Sequence, residues 1–406
     1  MEEAVLLFQL GTKFSKSYRI ADINYAVASK QDQTALFLGY CELLNGLDVG
    51  SSTKVTINNR RLNRLDFNQS ILIKNKSDHL DHFRDEYNVM LETKAISSNN
   101  NLVQDKYITI TVEKKSIEEA RIFFTRVGNH LQQRLTALSS SATELDIKER
   151  LRIFHDFFRI GEETQFRFDL RETLRKGHSF KDFIVPDGLE LNKDHFIMGN
   201  QYGRVLFLRE YASFIKDSMI TELCDLNRNL MLSIDIFPVP TDEAVREIQN
   251  RLLGVETNIT NWQRKQNQNN NFSAVIPYDL ELARKESKDY LDDLTTRDQR
   301  MLFVVVTLVH VADSLEQLNS DTEGLLSTAR KHLCQFATLN WQQPDGLNTA
   351  LPYGLRQIDA LRTMTTESTA VLMPFKIQEL LEPGGVYYGQ NAISRNMIIV
   401  SYFSQF

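Results

Sequence analysis

The sequence predicts an α/β (α+β) protein: mixed sheets flanked by helices in two units, with an antiparallel helical hairpin projecting from the second. Three observations carry that expectation. Segments of strand period and helix period alternate through the first third of the chain. An almost uninterrupted apolar run at residues 301–311 has the character of a central strand buried on both faces. Only 8 prolines and 17 glycines occur in 406 residues, so regular elements should run long.

Residues 19–26 are strand-like, and residues 30–47 follow with Ala35, Leu38, Leu43 and Leu44 at helical spacing. Val55 and Ile57 alternate within residues 54–58 as a half-buried strand requires. A polar, acid-rich helix is expected at 78–94. The clearest strand is 106–113, where Ile108, Ile110 and Val112 share one face and Thr109 and Thr111 the other. Ser116, with Glu119 three residues on, has the capping-box pattern, and the apolar stripe from Ile117 to Leu138 keeps a 3.6 period. A second amphipathic helix at 147–159 closes the first unit, residues 1–160.

Residues 161–193 are mixed and polar and read as a linker. The second unit, 194–360, resumes with strands at 195–198 and 204–209 and a helix at 213–226. Leu230, Leu232, Ile234 and Ile236 then alternate as a strand that stops at Pro238 and Pro240. From Thr241, the residues Val245, Ile248, Leu252, Val255, Ile259 and Trp262 are spaced three, four, three, four, three. Such a seam wants a partner helix. The next helix, 278–296, supplies Leu280, Leu291 and Leu294, and the Gln/Asn-rich stretch 263–272 makes the tip between them. Residues 241–298 thus read as a hairpin, with a dimerising coiled coil as the open alternative. Helix 314–336, strand 337–341 and a tail, 361–406, with strand-like pieces at 386–389 and 396–400 complete the reading.

With 42% hydrophobic and 25% charged residues, the chain can bury a core, which excludes wholesale disorder. Its 47 Lys+Arg against 53 Asp+Glu give a net charge of −6, the wrong sign for a general polyanion grip, so direct nucleic-acid binding is not expected. Cys41, Cys224 and Cys334 are far apart and form no CxxC pair, as suits packed thiols in a reducing cytoplasm. No signal peptide is read at the acidic start, and no apolar stretch approaches the ~20 residues that span a bilayer.

The motif search is mostly negative. No glycine is followed by lysine, so GxxxxGK[ST] is absent, as are GxGxxG, HExxH and GxSxG. His79 and His82, beside Asp78 and Asp81, could share a helix face and hold a metal, or be incidental histidines on a solvated face. His310 reads as a hydrogen-bonded histidine at a strand end rather than a catalytic base. Asp292 and Asp293 near Arg297 and Arg300 read as a helix-end charge cluster or, alternatively, a carboxylate pair. Arg171, Arg175, Lys176, His178 and Lys181 form a basic patch, solvated or phosphate-binding.

Several strings resemble the conjugative-transfer ATPases of type IV secretion systems, the CagE/TrbE/VirB class found in Gram-positive mobile elements. They are RIADINYAVASKQDQTALF from Arg19, VTINNRRLNRLDF from Val55, ELDIKERLRIFHDFFR from Glu144 and GRVLFLREYASFIKDSMITELCDLNRN from Gly203. NWQRKQNQNNNFSAVIPYDLE from Asn261, LDDLTTRDQRML from Leu291, LNTALPYG from Leu347, TTESTAVLMPF from Thr365 and GGVYYGQNAISRNMIIV from Gly384 belong to the same likeness. The resemblance spans Arg19 to Val400 and matches the part of the family that precedes its motor.

It implies an assembly and docking region, with the hairpin and the sheet edges as contact surfaces and Trp262, Asn269, Asn270 and Phe272 as interaction residues. Implied partners are other secretion components and sister subunits, with homo-oligomers among the outcomes. The implied place is the cytoplasm, at the inner face of the cell membrane through partners. In the family, ATP and Mg bind in a RecA-like motor beyond the position of Val400; residues 401–406 do not look like that continuation. None of the family's catalytic, cofactor or metal residues therefore carries over, and residue 406 is expected to be a truncation point. A frameshift, a premature stop or a cloned-fragment boundary would each produce it. The alternatives are an enzyme, with residual ATPase or metal-dependent hydrolase activity through His79 and His82, or a non-functional truncated product.

Overall fold

In the computed structural model, the strand periods assemble into one antiparallel sheet of 12 strands, with a separate two-stranded ribbon near the C-terminus. The structure describes residues 6–8, 12–61, 71–97, 102–212, 218–226, 228–269, 275–377, 385–391 and 397–401. The elements, in order, are β1 (Leu6–Phe8), β2 (Lys13–Ile20), α1 (Lys30–Asn45), β3 (Ser51–Arg61), α2 (Asp81–Ser97), β4 (Leu102–Glu113) and α3 (Ile117–Ala137). There follow β5 (Ala142–Glu144), α4 (Ile147–Phe158), α5 (Leu170–Lys176), β6 (Leu189–Leu191), β7 (Phe196–Met198), β8 (Gln201–Glu210), α6 (Ser218–Cys224) and β9 (Asn229–Pro238). The remainder is α7 (Thr241–Gln268), α8 (Tyr278–Thr296), β10 (Met301–Ala312), α9 (Leu315–Lys331), β11 (Gln335–Thr338), α10 (Gln343–Ala350), β12 (Arg362–Thr365), α11 (Thr366–Ala370), β13 (Val386–Gln390) and β14 (Met397–Val400).

The sheet order is β1-β2-β4-β3-β9-β10-β8-β7-β6, with β5 beside β2, β11 beside β8 and β12 beside β10. This corrects the expectation of separate sheets in two units. Strand β3, from the first stretch, pairs with β9, from the second, over Thr53↔Ile236 to Asn59↔Leu230. Both strands are apolar on one face and bear hydroxyls and a charge on the other. They complete each other's hydrogen bonds, where separate sheets would expose two edges. The stretch read as a linker carries α5, β6 and two short 3-10 turns. Within it, Phe168 packs edge-on against Phe180 and Phe183. The tail also joins the sheet, through β12 on β10.

Alternation along the strands divides the core in two. On one face Phe14, Tyr18, Ile108, Ile110, Val55, Ile57, Ile234, Val304 and Val306 pack beneath α1, α3, α6 and α9. On the other, Tyr107, Met231, Val305 and Val309 pack beneath α4 and α10. Strand β10 is buried nearly throughout, as its apolar run required. Strand β2 begins six residues before the strand-like segment read at 19–26. Its alternate residues Ser15 and Ser17 are themselves buried, which blurs the inside–outside contrast that marks a strand. Ser116 caps α3 by accepting from the Glu119 amide at 3.2 Å, while the Glu119 carboxylate reaches the Lys115 amide instead of closing the box. Among the described residues, no helix is long and apolar enough to cross a membrane.

Candidate functional site

The 28-residue helix α7 carries the seam, and α8 is its partner within the chain. At the base, Ala244 and Ile248 meet Leu294, Leu291 and Tyr290, together with Met301 and Val239 from strand ends. Farther out, Arg284 Nε donates to Glu256 Oε1 at 2.7 Å. As residue numbers rise on α7 they fall on α8, so the two helices run antiparallel. Ile259 is buried and Trp262 half-buried along this line. Asn269 is exposed and ends α7, its amide donating to Lys265 O and Gln266 O. Asn270 and Phe272 lie outside the described residues. Leu253, midway along α7, and Val275 and Tyr278, toward the tip, are 66%, 84% and 76% exposed. The pair thus buries the side chains of its seam along most of its length and exposes apolar side chains off the seam and near the tip.

The other candidates are dispersed. His79 precedes α2 while His82 lies in it, both are exposed, and Asp78 and Asp81 are taken up by the Arg84 guanidinium. The two histidines therefore do not share a helix face. Among the described residues no group of three or more His, Cys, Asp or Glu could hold a metal ion. Asp293 pairs with Arg297 one turn on at 3.2 Å, and Asp292 points to solvent. In the basic patch, Lys176 pairs with Glu172 at 2.6 Å and His178 faces Asp182 at 3.7 Å, all exposed. The three cysteines are buried and free, and burial pushes the Cys224 thiol up to about 12.

Two buried polar clusters stand out: the first escapes the sequence reading, and the second is built around His310, read from the sequence as a hydrogen-bonded strand-end histidine. Lys54 on β3 stands directly opposite Asp235 on β9, Nζ to Oδ2 3.1 Å, both side chains inaccessible to solvent. Lys54 Nζ donates to Thr349 O and, at 3.1 Å, to Leu355 O, leaving Asp235 Oδ2 without a hydrogen bond. Loss of solvent outweighs the attraction between the two charges: it raises the Asp235 carboxyl to about 6 and pulls Lys54 below its ordinary range.

Around the pair, a row of hydroxyls anchors the segment 349–355 across the sheet. Ser233 Oγ donates to Ala350 O at 2.6 Å, Ser15 Oγ to Tyr353 O at 2.9 Å and Thr111 Oγ1 to Gly354 O at 2.9 Å. The buried Arg150 adds bonds to Ser15 O and Ser15 Oγ, both 2.8 Å. Gly354 sits at φ +85°, and a Cβ there would occupy the space of Thr111 Oγ1, so only glycine fits. The available signal was the recurrence of Ser and Thr at alternate positions of β2, β3, β4 and β9, opposite their apolar faces.

The second cluster holds His310, fully buried on β10. Thr322 Oγ1 donates to Leu318 O and accepts from Arg204 Nη1, so the 3.1 Å contact with His310 is a donation from Nε2–H. Nδ1 is then an acceptor that no described group meets. Burial and the nearby Arg204 and Arg228 charges depress His310 to about 3 and keep it neutral. Neither cluster is open to a substrate; both secure the sheet to what covers it. No family model matches the chain, and no curated protein matches it.

Proposed function

We propose that this chain is an assembly and docking module of the conjugative-transfer (type IV secretion) ATPase kind, which supports translocation by contacting channel components and sister subunits rather than by chemistry of its own. The observation that carries the reading is the α7–α8 pair. It is seated on the sheet by Ala244, Ile248 and Leu294, and away from that seat it presents Leu253, Val275 and Tyr278 to solvent. Exposed apolar side chains on a pair of long, anchored helices suit a surface that a protein partner covers. The sequence holds no phosphate-cradling GxxxxGK[ST] loop, and its buried charged groups are committed to structure. ATP and Mg belong, in this reading, to the motor that the module serves, and the chain works on the cytoplasmic side, held at the membrane by its partners.

The test is co-sedimentation of the purified chain with inner-membrane vesicles from cells bearing an assembled conjugation channel and from cells lacking it. Saturable retention on the first vesicles alone supports the reading, and a Leu253→Glu/Tyr278→Glu variant should lose that retention. Equal retention on both vesicles, or turnover of Mg·ATP by the isolated chain, would sink it.

A further inference from the structure

The sheet order ends at β6, and among the described residues no strand lies beyond it. In the β6–β7 ladder the Asn192 amide donates to His195 O at 2.9 Å and the Gly199 amide to Gly188 O at 3.2 Å. Bonded and unbonded positions alternate along an antiparallel pair, and Leu189↔Met198 and Leu191↔Phe196 are unbonded positions between those two. The backbone groups of Leu189 and Leu191 therefore point away from β7. The open edge offers two amides and two carbonyls to one more strand.

Side chains single out the same residues. Met198 and Phe196, opposite them, are buried in the core beneath α4 and α10. Leu189 and Leu191 carry that apolar layer past its cover and are 45% and 50% exposed. Trp341, just before α10, lies at φ +62°, which a bulky residue rarely adopts, and is 76% exposed. Its amide donates at 2.7 Å to Lys193 O, two residues from Leu191 and so roughly 7 Å along the strand direction. A strained, exposed tryptophan is thus held beside the open edge.

Charge and register decide what can be added. In a symmetric antiparallel pair of two copies, using both leucines of each sets Glu190 directly opposite the same glutamate of the other copy. That is the unbonded position, where side chains approach most closely and like charges repel. A shift of register one way calls on Lys193 O, which Trp341 already engages, and the other way on Asp187, in a bend before the strand. Residues 187–194 hold Asp187, Glu190 and Asp194 against Lys193 alone, so the edge favours a basic partner.

We propose that the β6 edge is a strand-addition site for an extended segment of another protein, in which a Lys or Arg is flanked on both sides by apolar residues. The basic residue faces Glu190. Its two neighbours exchange backbone hydrogen bonds with Leu189 and Leu191 and lay their side chains beside them, and Trp341 meets the end of the added strand. This surface is separate from α7–α8 and does not depend on what that pair binds.

Fluorescence anisotropy of the full chain with two dye-labelled heptapeptides, Ser-Thr-Val-Lys-Val-Thr-Ser and its central-Glu analogue, tests the proposal. The Lys peptide should bind saturably at submillimolar concentration and about fivefold more tightly than the Glu analogue, with the gap narrowing in high salt. Methylating its two valine amides removes the donors that face the edge, keeps every side chain, and should abolish binding. Leu191→Pro should abolish it as well, because the Leu191 amide makes no ladder bond to β7 and an edge tolerates proline there. Should that variant not fold, Glu190→Lys, at an exposed position, should reverse the preference between the two peptides. No saturable binding of the Lys peptide, equal binding of its methylated form, or an unreversed preference in Glu190→Lys would overturn the proposal. So would sedimentation showing wild-type dimers that Glu190→Lys leaves intact and Leu191→Pro dissociates, since a second copy would then occupy the edge. Channel retention by α7–α8 is read on vesicles with other variants, so either idea can fail alone.

Discussion

Replacing Lys54 by methionine tests whether the buried pair is held by attraction or merely tolerated. A rise of the Asp235 carboxyl from 3.8 to about 6 means that ionising it in the fold costs about 3 kcal/mol more than in water. Without Lys54 the carboxyl does best to stay protonated, which at pH 7 costs about 4 kcal/mol against its unfolded value. Thr349 O and Leu355 O also lose their donor, a further ~1–3 kcal/mol. Lys54→Met should therefore cost about 2–4 kcal/mol at pH 7.

The sign with pH follows from the raised carboxyl. Its contribution to stability is complete below the unfolded value of 3.8 and is lost as pH rises through the folded value of about 6. In the variant the folded value lies higher still, so acidification from pH 7 to 5.5 restores the variant more than the wild type, and the gap shrinks by about 1 kcal/mol. Lys54→Met/Asp235→Leu removes both desolvated charges and should be close to wild type or up to ~4 kcal/mol more stable. Urea denaturation followed by circular dichroism at the two pH values measures all three. A single-variant cost that is below 1 kcal/mol, or that grows on acidification, would refute the reasoning, as would a double variant no better than the single.

Three further outcomes are expected. Gly354→Ala should cost about 2–4 kcal/mol, from positive φ and the collision with Thr111 Oγ1, and Thr111→Ala should return part of it; thermal unfolding of both and of the double variant decides. His310, depressed from 6.5 to about 3, contributes stability that is complete above 6.5 and lost as pH falls toward 3. Between pH 6.5 and 5 that loss is about 2 kcal/mol, and a His310→Gln variant measured by urea denaturation should be spared it. Leu253→Glu/Tyr278→Glu, at positions 66% and 76% exposed, should leave the unfolding midpoint within about 0.5 kcal/mol of wild type while channel-vesicle retention is lost.

What was legible in the sequence was whatever local period and composition encode. The apolar run of β10, the alternation of β4 and β9, the stripe of α3 and the three-four seam of α7 each state how one segment meets its surroundings, and each forms near its expected place. Period says that a residue is inside, but not what lies against it. Only the tertiary structure decided that β3 and β9 pair, and so that the chain builds one sheet where two were expected. That pairing sets Lys54 against Asp235, and the 349–355 segment then buries the hydroxyl row opposite the apolar face. Each of these depends on residues far apart in the chain, and their meeting is set by sheet order and by what covers the sheet, to which a window of local sequence is blind.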